Sequence, residues 1–293
     1  MLSRFRRHAW LYLIIAPVIV YFAAFVFLPL GQGLYYSLFK AGLGGLREFI
    51  GLGNYAKVMA SPAFINATVN TLAIAGGITI LGTLLPIVPA IALAEITPEP
   101  LKRAFQTTIY IPYLLSWVII LGIWTNTLSP IGLVNSILLD LHLIEAPIAF
   151  FSTPAWARPL LIGQTVWKDI GFHALIYYSA LLSLDQDVLD AASLDGAGGW
   201  AKIRYIVLPH LCPMLAVVFV LTLQGSLHTF DSSLLMLNGR TADEILTLAV
   251  FAYQRGVLQF DLGMASAAAA VLLAICLVVA AVTRLIAPRA MRM

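Results

Sequence analysis

The chain has 293 residues, of which 61% are hydrophobic and only 11% charged, with a mean hydropathy of +0.93. A soluble domain carries about a quarter charged residues, so the composition excludes one and indicates an integral membrane protein. The net charge of +3 is small and no basic patch is interleaved with aromatics, which argues against nucleic acid as a partner.

A membrane helix needs roughly 20 apolar residues to cross a hydrocarbon core of about 30 Å. The first such segment, about 10–34, follows Arg4, Arg6 and Arg7. It is too long for the apolar part of a signal peptide, and no small-x-small cleavage pattern follows it, so a permanent span is expected. Residues 68–94 and 106–127 predict the second and third spans, separated by the short basic stretch 95–105. The fourth, 159–183, is interrupted by Lys168, Asp169 and His173. Residues 210–234 and 264–286 complete six predicted spans. The loops 35–66, 128–158 and 235–263 are longer and rich in Gly, Pro, Asn and aromatics. The expected architecture is all-α and polytopic, a single transmembrane domain over 1–293.

Lys and Arg accumulate on the cytoplasmic side of a membrane protein. Arg4, Arg6, Arg7, Lys102, Arg103, Lys202, Arg204, Arg284, Arg289 and Arg292 fall on one side of this map. The other side holds Lys40, Arg47, Lys57, Arg158, Arg240 and Arg255, spread over the longer loops. Both termini and the 185–208 loop are therefore expected in the cytoplasm. No internal repeat is evident, which counts against the secondary-transporter folds built from one. Cys212 and Cys276 have no Cys or His nearby at metal-ligand spacing, so neither a disulfide framework nor a metal site is expected.

The 185–208 loop contains the segment Asp190–Pro209, DAASLDGAGGWAKIRYIVLP. Val188, Leu189, Ala191, Ala192 and Leu194 predict a short helix whose start is marked by Asp185, Asp187 and Asp190, acidic residues suited to a helix N-terminus. Asp195-Gly196 reads as its stop, because Gly accepts the left-handed conformation that ends helices. Trp200–Tyr205 predicts a second short helix, and Pro209 suits the first turn of the fifth span.

As spacings, this segment is Asp190-Ala191-Ala192, three residues, Gly196, nine residues, Ile206, one residue, Leu208-Pro209. It resembles the EAA loop of permease subunits of binding-protein-dependent ABC importers, with Asp190 where that family usually has Glu. Further segments resemble the sugar-importer branch, of the maltose and glycerol-phosphate type, in order along the chain. They are Gly51-Leu52-Gly53-Asn54-Tyr55 with Phe64 and Asn70-Thr71, Ile111-Pro112 through Trp124 to Gly132-Leu133-Val134-Asn135, Trp167 with Gly171-Phe172, Phe230-Asp231, and Asp261 through Ala267. After the fifth span, Asn238-Gly239-Arg240 stands where relatives often carry Gly-Gly-Pro.

The resemblance implies a type I ABC importer permease fold in a bacterial inner membrane, with residues 185–209 docking in a cleft of the ATPase. It implies a second permease, two ATP-binding subunits and an extracytoplasmic substrate-binding protein as partners. ATP and Mg would sit on the ATPase, and no cofactor on this chain. No Walker A, HExxH or GxSxG motif is present, so no catalytic residue is assigned. The reading from another class is a stand-alone ion-coupled secondary transporter, with Asp231 or His228 as the coupling group.

Polar side chains inside spans usually face a cavity or a bundle interior. Gln224, His228 and Asp231, at i, i+4 and i+7, are expected to share one helical face. They either line a sugar pathway, with mixed donors and acceptors, or bond helix to helix. Gln164 and Lys168 share one face of the fourth span, with Asp169 and His173 on another, and the Lys168–Asp169 adjacency is read as structural ahead of substrate-binding. Trp124, with Asn126, stands near the outer end of the third span, where it either stacks on a sugar ring or belongs to an interfacial belt. With Lys168 as the single cation in the pathway, a neutral sugar or polyol is favoured over a phosphate-bearing one, unless the partner permease supplies charge.

Overall fold

The computed structural model describes residues 9–42 and 44–290. Arg4, Arg6, Arg7 and Arg292, and the side chain of Arg289, lie outside the described residues. The helices are α1 (Ala9–Phe22), α2 (Leu28–Tyr36), α3 (Gly53–Met59), α4 (Pro62–Leu84), α5 (Ile87–Glu95), α6 (Glu99–Leu114), α7 (Trp117–Thr127) and α8 (Leu133–Asp140). They continue with α9 (Pro154–Leu181), α10 (Gln186–Leu194), α11 (Gly199–Lys202), α12 (Leu208–Leu227), α13 (Asp231–Met236), α14 (Ala242–Ile245), α15 (Leu248–Tyr253) and α16 (Leu262–Ala290). The all-α expectation needs one correction, a small antiparallel hairpin of β1 (Phe39–Gly42) and β2 (Gly45–Phe49).

Among the described residues, four helical stretches are long and apolar enough to cross a membrane: Ile14–Tyr36, Pro62–Glu95, Gly199–Leu227 and Leu262–Arg284. A fifth is available if α6 and α7, which meet at 105°, are counted as one broken span. The third predicted span is thus not straight. Leu115 and Ser116 are both extended, and the Ser116 hydroxyl caps α7 by accepting from the Ile119 N–H. A serine ahead of an apolar run is a helix-start signal, and here it starts a new helix inside the predicted one.

The fourth predicted span becomes α9, which is not apolar enough to pass the same test. Its polar residues are sheltered by protein, since Gln164, Thr165, Lys168 and His173 are all buried. The fifth predicted span begins earlier and ends earlier than expected. The helix runs on from α11 through a π-helical turn, Ile203–Val207, into α12. The turn has its own logic. Pro209 has no N–H and its ring would crowd the carbonyl four residues back, and widening the helix by one residue relieves this. The Leu208 N–H accordingly reaches back five residues to the Ile203 carbonyl. The same solution appears at Ala23–Phe27, again directly before a Leu-Pro pair, Leu28-Pro29.

The chain forms two compact units. In Met1–Phe64 with Phe251–Leu273, the hairpin is held by Asn54, which is buried and donates to the carbonyls of Ser37 and Phe39, both at 2.8 Å. Ser37 and Tyr55 share a hydroxyl–hydroxyl bond of 2.8 Å. A Cβ on Gly263, at the head of α16, would lie 2.5 Å from the Phe39 carbonyl oxygen, so only glycine permits this approach. The Gly53-Asn54-Tyr55 and Leu262-Gly263 segments are therefore two sides of one contact. Replacing Asn54 with Ala strands both carbonyls and is expected to cost about 1–3 kcal/mol, read as a lower melting temperature of the detergent-solubilised protein.

In Ile65–Val250 with Ala274–Met293, α9 is the central helix, packing on α5, α6, α7, α12, α13 and α14. One apolar cluster gathers Ile74, Leu128, Phe150, Leu160, Leu161 and Ile245; a second gathers Ile87, Ala174, Tyr177, Leu211 and Val218. Near the start of α9, Arg158 pairs with the Glu244 carboxylate at 3.0 Å and donates to the Asn70 side-chain carbonyl at 2.8 Å. Asn70 donates in turn to the carbonyls of Asp243 and Leu246.

Candidate functional site

Two features stand out in the second unit, an exposed helix–turn–helix and a polar cavity. The first is the segment that the sequence singles out. Helix α10 is capped by Asp185, whose carboxylate accepts from the Asp187 N–H at 2.9 Å. It ends in a Schellman turn, in which the Ala197 N–H reaches the Ala192 carbonyl (2.9 Å) and the Gly196 N–H the Ser193 carbonyl (3.1 Å). Gly196 takes φ +82°, the left-handed conformation, with nothing within 4 Å of where a Cβ would stand. The requirement for glycine there is conformational rather than steric.

Past the turn, Lys202 on α11 donates to the Ser193 hydroxyl at 2.6 Å and ties the two helices together. Asp190 accepts from the Gln186 side-chain amide at 3.1 Å and remains exposed. Ala191 and Asp195 are also exposed, while Ala192, Ile206 and Leu208 are half-buried; Pro209 is exposed within the continuous helix. No residue of α10 is buried, and Leu194, Trp200 and Tyr205 are 90%, 75% and 76% exposed. Apolar groups of this size left in the open mark a contact surface.

The second feature is a cavity of about 250 Å³ between α4, α7, α9, α12 and α13. It is lined by Trp117, Lys168, Asp169, His173, Thr222, Ser226, His228, Thr229, Asp231 and Ser232, with Ile78 and other apolar groups. Hydroxyls, carboxylates and imidazoles give it both donors and acceptors. The Lys168 ammonium donates to the Tyr113 carbonyl at 2.6 Å and lies 3.5 Å from that of Pro112.

Not every expected pathway residue reaches this cavity. Lys168, His228 and Asp231 line it; Gln224, Gln164, Trp124 and Asn126 are not among its walls. The shared face expected for Gln224, His228 and Asp231 does not exist. Helix α12 ends at Leu227, His228 is its C-cap, and Asp231 heads α13. Side chains end the helix here. Thr229 donates back to the Ser226 carbonyl, and the single Ser226 hydroxyl hydrogen is shared between the Leu223 carbonyl at 3.0 Å and that of Ala75 on α4 at 3.4 Å. His228 instead meets the Cys276 sulfur at 3.6 Å.

Trp124 packs edge-on against Trp167 at 6.0 Å and against the first apolar cluster. Asn126 is exposed, and Gln164 is fully buried with neither amide atom hydrogen-bonded among the described residues. Trp117 and Phe230 are the aromatic residues of the cavity wall, and the one sequence signal for Trp117 is its position directly after the capping Ser116.

Residues 82–292 match the family described as "Binding-protein-dependent transport system inner membrane component". The chain is 28% identical to protein LplB of Bacillus subtilis (strain 168) over 262 residues, covering 88% of this chain and 82% of that one. It is 31% identical to the sulfoquinovosyl glycerol transport system permease protein SmoG of Agrobacterium fabrum (strain C58 / ATCC 33970), covering 92% and 87%. Among solved structures, a chain of a bacterial ABC transporter importing the acidic polysaccharide alginate superimposes with a TM-score of 0.88 at 29% identity, covering 98% of each chain. A chain of the bacterial alginate transporter in complex with its alginate pentasaccharide-bound periplasmic protein gives 0.89 at 27% identity, covering 100% and 99%.

Proposed function

The chain belongs to the family of binding-protein-dependent transport system inner membrane components, and from that membership we propose that it is a permease subunit of an ATP-driven ABC sugar importer. It is a multi-pass protein of the bacterial inner membrane, and its substrate arrives on an extracytoplasmic binding protein. The ion-coupled alternative has no support in the family or its relatives. The chain forms one transmembrane domain of six spans, with the bent α6–α7 pair and α9 as the third and fourth, and both termini in the cytoplasm. It pairs with a second permease and with two ATP-binding subunits, which hold ATP and Mg and carry out hydrolysis. The chain itself binds no cofactor and is not catalytic.

The observation that carries this reading is the 185–209 segment, a capped and hydrogen-bonded helix–turn–helix with its apolar groups uncovered in a loop of cytoplasmic character. A preformed knob of this kind fits a cleft on the ATPase and passes closure of that subunit directly into α12, with which α11 is continuous. The substrate is a sugar, polyol or related small carbohydrate. The cavity favours a neutral one, because two carboxylates face it and its one ammonium is held by backbone carbonyls.

The test is to purify the tagged chain from its native membrane, assay the eluate for ATPase activity, and reconstitute it with the binding protein. Co-purification of a second permease and an ATPase, with binding-protein-dependent uptake, is expected. A single-chain eluate that transports in liposomes and stops when the ion gradient is collapsed would overturn the reading.

A further inference from the structure

The break between α6 and α7 leaves the last carbonyls of α6 without partners in its helix, in a segment where water is scarce and unpaired backbone groups are costly. The Pro112 carbonyl accepts from the Leu115 N–H. The rest of the answer comes from Lys168 on α9. Its ammonium donates to the Tyr113 carbonyl at 2.6 Å and approaches that of Pro112 at 3.5 Å, as a cation does at a negative helix C-terminus. The same nitrogen lies 5.2 Å from the ring centre of Tyr113 on α6 and 5.8 Å from that of Trp117 on α7. One buried charge thus touches both arms of the broken helix. Among the described residues no carboxylate oxygen lies within 4.0 Å of it, although Asp169 interacts with it at longer range and Asp169 and Asp231 face the same cavity.

Beside the polar cavity is a second, of about 570 Å³, walled by the bend itself (Leu115, Ser116, Val118) and by Leu234 and Leu235 of α13. Three residues line both cavities: Trp117, Lys168 and Asp231. They are the partition between the two.

We infer that Lys168 is a positioning residue for translocation, its ammonium fixing the angle between α6 and α7 and so holding Trp117 as the partition between two cavities of the pathway. This rests on the importer reading above. It assigns Lys168 to the gate rather than to the sugar. When the ammonium leaves the carbonyls, the bend is free to change and the partition opens.

The test uses the complete reconstituted transporter, with Cys212 and Cys276 replaced, cysteine-free partners, and spin labels at Thr108→Cys on α6 and Thr125→Cys on α7. Lys168→Met is expected to broaden the distance distribution between the labels. It should also lower the substrate imported per ATP hydrolysed by about tenfold or more, the scale of a typical coupling free energy. Lys168→Arg, which keeps donors for the carbonyls, should restore both. An unchanged distribution in Lys168→Met, or normal coupling despite an altered one, would overturn the inference. Should Lys168→Met fail to assemble, Trp117→Ala tests the partition alone. It is expected to lower import per ATP with the label distances retained, and normal coupling in that variant would also overturn the inference. A wild-type complex that shows no binding-protein-dependent uptake would instead count against the importer reading.

Discussion

Gly196→Val is expected to abolish uptake by the assembled transporter while leaving the membrane helices folded. Gly196 sits at φ +82° in the turn between α10 and α11, which is closed by its own N–H on the Ser193 carbonyl and the Ala197 N–H on the Ala192 carbonyl. An L-residue in that conformation costs roughly 1–2 kcal/mol, and more when branched at Cβ. A strain of about 2 kcal/mol disfavours the turn by roughly thirtyfold. Because the site is open, with nothing to clash, the strain stays local and the helical content of the protein should not change. Vesicle uptake, circular dichroism and co-purification with the ATPase check the three parts. Gly198→Ala is the control. Gly198 has φ −69° and ψ 166°, which alanine adopts freely, so that variant should transport normally. Normal uptake by Gly196→Val would remove this turn from any role in coupling.

Gly171→Ala is expected to lower stability by forcing α6 and α9 apart. A Cβ at Gly171 on α9 would lie 2.0 Å from the Ile109 carbonyl oxygen and 2.9 Å from the Tyr110 Cα, both backbone atoms of α6. Neither can rotate away, so the two helices must separate. Small residues at membrane helix contacts exist to allow such approach, and overpacking of this kind costs about 1–3 kcal/mol. The separation would also pull apart the rings of Phe172 and Tyr113, stacked 4.8 Å apart, and draw Tyr113 from Lys168. The measurement is the melting temperature in detergent, together with the yield of assembled complex; an unshifted melting temperature would show that α6 and α9 are free to part. Gly171→Leu should not yield folded protein.

These two glycines differ in how far the chain alone explains them. Gly196 is a local matter. Its partners are the carbonyls of the helix just before it, so the stop signal, the cap at its other end and the spacing to Pro209 can all be read from consecutive residues. Gly171 stands among the polar residues of α9, where nothing in its neighbours calls for a glycine, and the steric need appears only when α6 comes to lie against it.

The cavity divides along the same line. Lys168, His228 and Asp231 are legible as polar groups in apolar surroundings, since burying them has a cost that some cavity or partner must offset. Their grouping is another matter. The expectation that Gln224 shares a face with His228 and Asp231 assumes a helix that continues, and hydrogen bonds from Ser226 and Thr229 end it at Leu227. Trp124 and Trp117 are equally aromatic in sequence; packing sends the first to Trp167 and the second to the cavity.

What the sequence determined by itself is what depends on composition and near neighbours: a membrane protein, the positions of most apolar helices, and the form of the 186–202 loop. Tertiary structure decided the 105° bend of the third predicted span, the central place of the polar α9, and which residues share the cavity. The physical reason is the range of the interactions. Capping, hydropathy and backbone conformation act within a few residues, whereas the Lys168 ammonium meets the Tyr113 carbonyl across 55 positions of chain.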